Sequence, residues 1–118
     1  MKYMLLIYED ENALDESGQE ACYQESALVA NELAAKGKLI GAGPLQMTPT
    51  ANTVRVREGK SVVTTGPFAE THEQLGGYFL IDVEDLDEAM FIASKLPSAR
   101  FGSIEVRPLV EIPGLKAH

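Results

Sequence analysis

His72 stands between Glu70 and Glu73. An imidazole exchanges a proton near neutral pH, and a neighbouring carboxylate orients the ring and raises its pKa, so this triplet is the strongest acid and base candidate in the chain. The bland alternative is a solvated loop histidine just ahead of a strand, with no second histidine near it in sequence. The other, His118, is the last residue and is expected to be unstructured. Glu9 and Asp10 add two more carboxylates, which with Glu70 and Glu73 can gather near a sheet's open face as a general base or a weak oxygen-ligand Mg²⁺ site. Their spacing is not diagnostic, because charged loops beside strands are normally solvated, and no metal is expected. Arg55, Arg57 and Arg100 can each hold an anion through a forked guanidinium, or simply balance the surplus of acids. Phe68, Tyr78 and Tyr8 supply the mixed apolar and polar lining of a small-molecule pocket.

The composition gives these groups little company. The chain has 118 residues, 45% hydrophobic and 24% charged, which suits one soluble domain over residues 1–118 with a core of its own. Ten Lys and Arg face 18 Asp and Glu, a formal charge of −8, so nucleic acid and anionic membrane surfaces are disfavoured partners. A single cysteine, Cys22, rules out an intrachain disulfide, and no His and Cys spacing suits zinc. No cofactor is required, and Cys22 falls on an apolar helix stripe, which places it in the core. The first apolar run, Met4 to Tyr8, is too short for a signal peptide and stops at Glu9 to Glu11, so a cytoplasmic chain is expected.

The elements that must position the candidates follow from the pattern. Lys2 to Glu9 reads as a buried strand. Ser17 with Glu20 has capping-box spacing ahead of a helix bearing Cys22, Val29, Ala30 and Leu33 on one stripe and ending at Gly37. Leu39 to Gln46 is a short strand whose Gly41, Gly43 and Pro44 mark an edge or a bulge. Thr53 to Arg57 and Ser61 to Thr65 flank Glu58-Gly59-Lys60 as a hairpin arm. Leu75 to Val83 is a strong strand, with Leu75, Phe79, Ile81 and Val83 on one face and Gln74, Tyr78, Leu80 and Asp82 on the other. Asp85 caps a second helix with Glu88 at its third position and a stripe of Leu86, Ala89, Met90, Ala93 and Leu96, stopped by Pro97. Ser103 to Ile112 closes the chain as a strand interrupted by Pro108.

This order is a ferredoxin-like βαββαβ α+β fold with an inserted hairpin. Two helices cover one sheet face. The other face, with Tyr8, Tyr78 and Leu80, needs a cover, which a second copy supplies most simply as a homodimer. Gly76-Gly77 inside a strand calls for a bulge or a close backbone approach, with room for a small molecule beside Tyr78, Tyr8 and Phe68.

The stretch from Thr65-Gly66-Pro67-Phe68 through His72-Glu73-Gln74-Leu75-Gly76-Gly77-Tyr78 to Ile81 resembles the signature of the YCII-related proteins, in the branch named for an Asp-Gly-Pro-Phe tetrad. Met1 to Tyr8, Thr53 to Arg57, Asp85 to Ala89 and Gly102 to Pro108 extend the likeness over nearly the whole chain. It implies a dimeric α/β barrel built from ferredoxin-like units. Thr65 replaces the signature's leading Asp and His72 its usual Lys; a turn-capping role for the Asp would let Thr65 substitute. The His and Asp pair proposed as catalytic in the founding branch is absent, since the first helix offers Tyr23 and Gln24 and the later segment reads Leu96-Pro97-Ser98-Ala99-Arg100.

Two functions follow as expectations. The first is a small-molecule-binding protein or enzyme with a pocket in the dimeric barrel, His72 and Glu70 handling protons and Phe68, Tyr78, Tyr8, Arg55 and Arg100 contacting ligand. The alternative is a non-catalytic interaction module, implied by the branch's association with extracytoplasmic-function (ECF) sigma factors, which makes such a factor a candidate partner.

Overall fold

The computed structural model describes residues 1–116; His118 lies outside them. Strand β1 (Lys2–Glu9) leads into helix α1 (Glu16–Ala35) and strand β2 (Leu39–Pro44). The hairpin β3 (Asn52–Arg57) and β4 (Lys60–Thr65) follows, then β5 (Gln74–Asp82), α2 (Leu86–Ser94), a 3-10 turn at Pro97–Arg100 and β6 (Ser103–Pro108). The main sheet runs β2-β5-β1-β6 with every described pairing antiparallel, the ferredoxin-like arrangement. The hairpin is a separate two-stranded sheet.

β1 alternates as a one-sided strand does. Tyr3, Leu5 and Ile7 are buried toward the helices, and Met4, Leu6 and Tyr8 point to the bare face, half-buried. Phe79 and Ile81 of β5 and Val83 just after it join Leu33 of α1 and Ala89, Ile92, Ala93 and Leu96 to complete the core. Burying such side chains contributes about 1.5 to 3 kcal/mol each, and that burial holds the helices on the sheet.

Several expected details move. α1 is capped by Asp15, whose Oδ1 accepts from the Gly18 amide at 2.8 Å, while Ser17 donates its hydroxyl to the same oxygen. Asp15 wins because a carboxylate is the stronger acceptor for the exposed first-turn amides. On α2 the buried stripe is Ala89, Ile92 and Ala93, continued past the helix end by Leu96; Leu86 and Met90 flank it and stay exposed. Leu75 leaves the Phe79 face. Ile7 pairs with Gly77 but Tyr8 with Leu75, so Gly76 is an extra residue and the face of β5 switches there. β6 stops at Pro108, where the ladder loses a donor, although the Leu109 amide still reaches the Lys2 carbonyl. Leu80 is buried although it lies on the bare face, whereas Tyr78 and Leu75 remain open. The hairpin turns on two residues, Glu58 and Gly59, both with positive φ, and Lys60 belongs to β4.

The body is only 20 Å thick against 46 and 44 Å in its other dimensions. That thickness corresponds to one sheet and one layer of helices, which leaves the second sheet face without a layer.

Candidate functional site

A cavity of about 260 Å³ lies between α1 and the β1, β5 and β2 strands, on the helix side of the sheet. Ile7, Ala27, Ala30, Ala42 and Phe79 give it apolar walls. Its polar groups are Glu9, Cys22, Tyr23, Ser26, Asn31 and Ser98, with the backbones of Gly43-Pro44 and Gly76-Gly77 forming the floor. Among these lining residues Glu9 is the one Asp, Glu, Lys, Arg or His.

Three local features fix Glu9. It continues the Tyr3, Leu5, Ile7 alternation by one step, which aims it to the helix side. Ser98, buried in the turn after α2, donates its hydroxyl to Glu9 Oε2 at 2.8 Å. The third feature is a pair of glycines. A Cβ on Gly76 would stand 3.0 Å from Glu9 Oε1, and a Cβ on Gly102 would stand 2.2 Å from the Tyr8 carbonyl oxygen and 3.2 Å from Glu9 Cα. Both are therefore places where a side chain would displace the carboxylate or its backbone. Gly77 is needed for a different reason, since a Cβ there would stand 3.0 Å from the Gly43 carbonyl oxygen of edge strand β2.

The 97–100 turn that carries Ser98 is tied to α1. Arg100 donates both guanidinium nitrogens to Glu25, at 2.8 and 2.9 Å. This forked contact holds the Glu25 carboxyl below its ordinary range and the guanidinium of Arg100 above its own. Burial first, and the Glu9 and Glu25 carboxylates next, push the Cys22 thiol up, against an opposing influence from Arg100. Cys22 is thus a neutral thiol at pH 7 and a poor nucleophile. It lines the cavity and is half-buried, where a core position was expected.

The residues singled out from sequence are distributed elsewhere. His72 is 87% exposed, with Nε2 3.6 Å from Asp10 Oδ2, and Glu70 is exposed in the same loop. Phe68 is 75% exposed and lies under the Arg55 guanidinium, 4.9 Å from its ring centre. Tyr8 and Tyr78 share the bare sheet face, and the Tyr78 ring lies over Gly43. None of these six lines the cavity, and Arg100 touches it only through Glu25 and the turn it braces. The structure brings together Arg55 with Phe68 and His72 with Asp10, and does not join those pairs to each other. Thr65 is the last ladder residue, opposite Asn52; the Gly66 carbonyl accepts instead from the Thr53 hydroxyl at 2.9 Å. Glu9 was expected to join Glu70, Glu73 and Asp10 near the open face, whereas it faces the helices. Period-2 counting along β1 carries the signal for that placement. Ser98 has none, because Leu96-Pro97-Ser98 by itself says only that a helix stops.

Among the described residues no three His, Cys, Asp or Glu side chains gather as a metal-ligand set. Nor is any helix long and apolar enough to cross a membrane.

Comparison with known proteins bears on the site's setting. The profile of the YCII-related domain matches residues 1–113. An uncharacterised protein of Rhizobium meliloti (strain 1021) is 40% identical over 114 residues, 92% of each chain. Among solved structures, 5-chloro-2-hydroxyhydroquinone dehydrochlorinase from Burkholderia phenoliruptrix, in complex with 2,5-dihydroxybenzoquinone, is similar with a TM-score of 0.48 and 13% identity, over 93% of this chain and 94% of that one.

Proposed function

The chain belongs to the YCII-related domain family, and from that premise and the cavity's geometry we propose that it binds a small organic molecule between α1 and the sheet, with Glu9 taking and returning a proton. The observation that carries this reading is the convergence on Glu9 of a buried serine hydroxyl at its carboxylate, Gly76 against the carboxylate and Gly102 against its backbone. Such a group in a largely apolar enclosure is the usual form of a general base. Ser98 donates to Oε2, and Oε1, the atom against Gly76, is the one this reading assigns to the ligand. The proton leaves the ligand for Oε1 and returns to another atom of the same ligand, so the reaction class is isomerisation by proton transfer.

A second copy of the chain belongs to this reading. A compact protein of 12.8 kDa exposes about 6,300 Å², and this chain exposes 8137 Å². Covering that excess on each of two copies buries roughly 3,700 Å² in total, within the range of obligate homodimers. The bare sheet face, with Leu75 and Tyr78, and the arm, with Val54, Val56 and Val63, supply the apolar surface. No observation in the fold or among the relatives speaks for the sigma-factor module over the enzyme.

The test is a fragment screen read by amide chemical shifts, followed by deuterium incorporation from solvent into each ligand found. Ligands that move the amides of Ala42, Gly76 and Ser98, with exchange abolished in Glu9→Gln, support the proposal. Because His72 and Glu70 lie outside the cavity, a His72→Ala, Glu70→Ala double variant is expected to keep that exchange. Ligands mapping to the 68–73 loop, with exchange lost in the double variant, would transfer the chemistry to His72.

A further inference from the structure

We propose that this cavity discriminates by charge, admitting small neutral or cationic molecules that offer an N–H or O–H donor and excluding carboxylates and phosphates. The inference rests on the reading of the cavity as the ligand site and goes beyond it to the class of ligand. Glu9 is the one charged side chain in the lining. Arg100, on the turn that carries Ser98, has its guanidinium fork engaged by Glu25, so that pair presents no free positive charge. Cys22 remains a neutral thiol, and its thiolate would only add to the negative charge. The Ser98 hydroxyl has its proton committed to Glu9 Oε2, which leaves the serine oxygen as an acceptor toward a ligand. Two acceptors, Oε1 of Glu9 and Oγ of Ser98, line the space beside the uncharged polar groups of Tyr23, Ser26 and Asn31, so a matching ligand brings a donor to Glu9 and no negative charge.

The field of the whole chain has the same sign, at a formal charge of −8. An anion entering beside Glu9 would lose hydration to apolar walls and gain a like charge about 4 to 6 Å away. At an effective dielectric near 20 that repulsion disfavours it on the order of 100-fold against a neutral molecule of the same shape. A cation gains Coulomb attraction but loses more hydration, so it and a neutral donor are expected to bind within about tenfold of one another.

Benzamide, benzamidine and benzoate share one shape and differ in charge and donors, which makes them the probes. Each is titrated into the full chain at pH 7 and low salt, with the amides of Ala42, Gly76 and Ser98 as reporters. The expected result is that benzamide and benzamidine shift those amides with a Kd on the order of 100-fold below that of benzoate. In Glu9→Gln, shown folded by circular dichroism, the gap narrows to less than about fivefold. Benzoate binding as tightly as benzamide to the same amides would overturn the charge class while leaving the cavity as the ligand site. If none of the three shifts those amides at millimolar concentration, the ligand-site reading fails and this inference fails with it.

Discussion

A Gly102→Ala substitution would place a methyl carbon 2.2 Å from the Tyr8 carbonyl oxygen and 3.2 Å from both Cα and Cβ of Glu9. Carbon to oxygen contacts settle near 3.3 Å, so the end of β1 and the start of β6 must part by about 1 Å. Tyr8 pairs with Ser103 in the ladder, and the Gly102 amide donates to the Ser98 carbonyl at 2.7 Å, so neither side yields freely. Overpacking of this kind costs about 3 kcal/mol at the upper end of its usual range. Against it stands the lower entropy of an unfolded chain bearing alanine, worth at most about 1 kcal/mol. The clash wins by about 2 kcal/mol, which lowers Tm by about 8 °C in a domain of this size. A 1 Å displacement of Glu9 also lowers ligand-dependent proton exchange by about 100-fold. The companion Gly76→Ala meets only the flexible end of Glu9, with Oε1 at 3.0 Å, so its Tm stays within about 3 °C of the parent while ligand binding weakens by about tenfold. Thermal unfolding by circular dichroism and a binding titration on both variants separate backbone clash from displaced carboxylate. A Gly102→Ala protein melting within 1 °C of the parent would refute the packing argument for Glu9.

Two further outcomes follow from contacts elsewhere in the fold. Glu88 is held below its ordinary 4.5 first by the Glu84 amide and then by the Lys38 ammonium, so its contribution to stability is complete above that value and disappears as pH falls through the folded-state value. Thermal unfolding of the parent and Glu88→Gln is expected to show a constant gap from pH 7 to about 5 that closes below 4.5; a gap already closing between pH 7 and 5.5 would contradict the assignment. On the bare sheet face, Tyr78→Glu introduces a charge where the second copy is expected, so light scattering at micromolar concentration should give twice the chain mass for the parent and a single mass for the variant. A parent protein that is monomeric at every concentration would remove the dimer.

Much of this architecture can be read from local pattern. The hairpin arm itself and Asp85 ahead of α2 follow from local pattern, although Lys60, read as part of the tip, belongs to β4. The losses come where two local solutions compete or where the partner is distant. Asp15 and Ser17 both satisfy capping rules, and only acceptor strength separates them. Gly76-Gly77 announces an irregularity, but which glycine bulges depends on pairing with Tyr8, 67 residues earlier than Leu75 in the chain; that choice moves Leu75 to the other face. The candidate site is harder still. His72 attracts notice by residue type, yet its loop leaves it in solvent, whereas Glu9 becomes notable only when Ser98 reaches it across the fold.

The most direct test of the central claim is a high-resolution crystal structure of the full chain as purified, inspected between α1 and the sheet. The expected result is an open cavity holding a small molecule within hydrogen-bond reach of Glu9 Oε1, with Ser98 on Oε2. A cavity closed by α1 side chains, with Glu9 turned out to solvent and a ligand seated instead against His72, would contradict it.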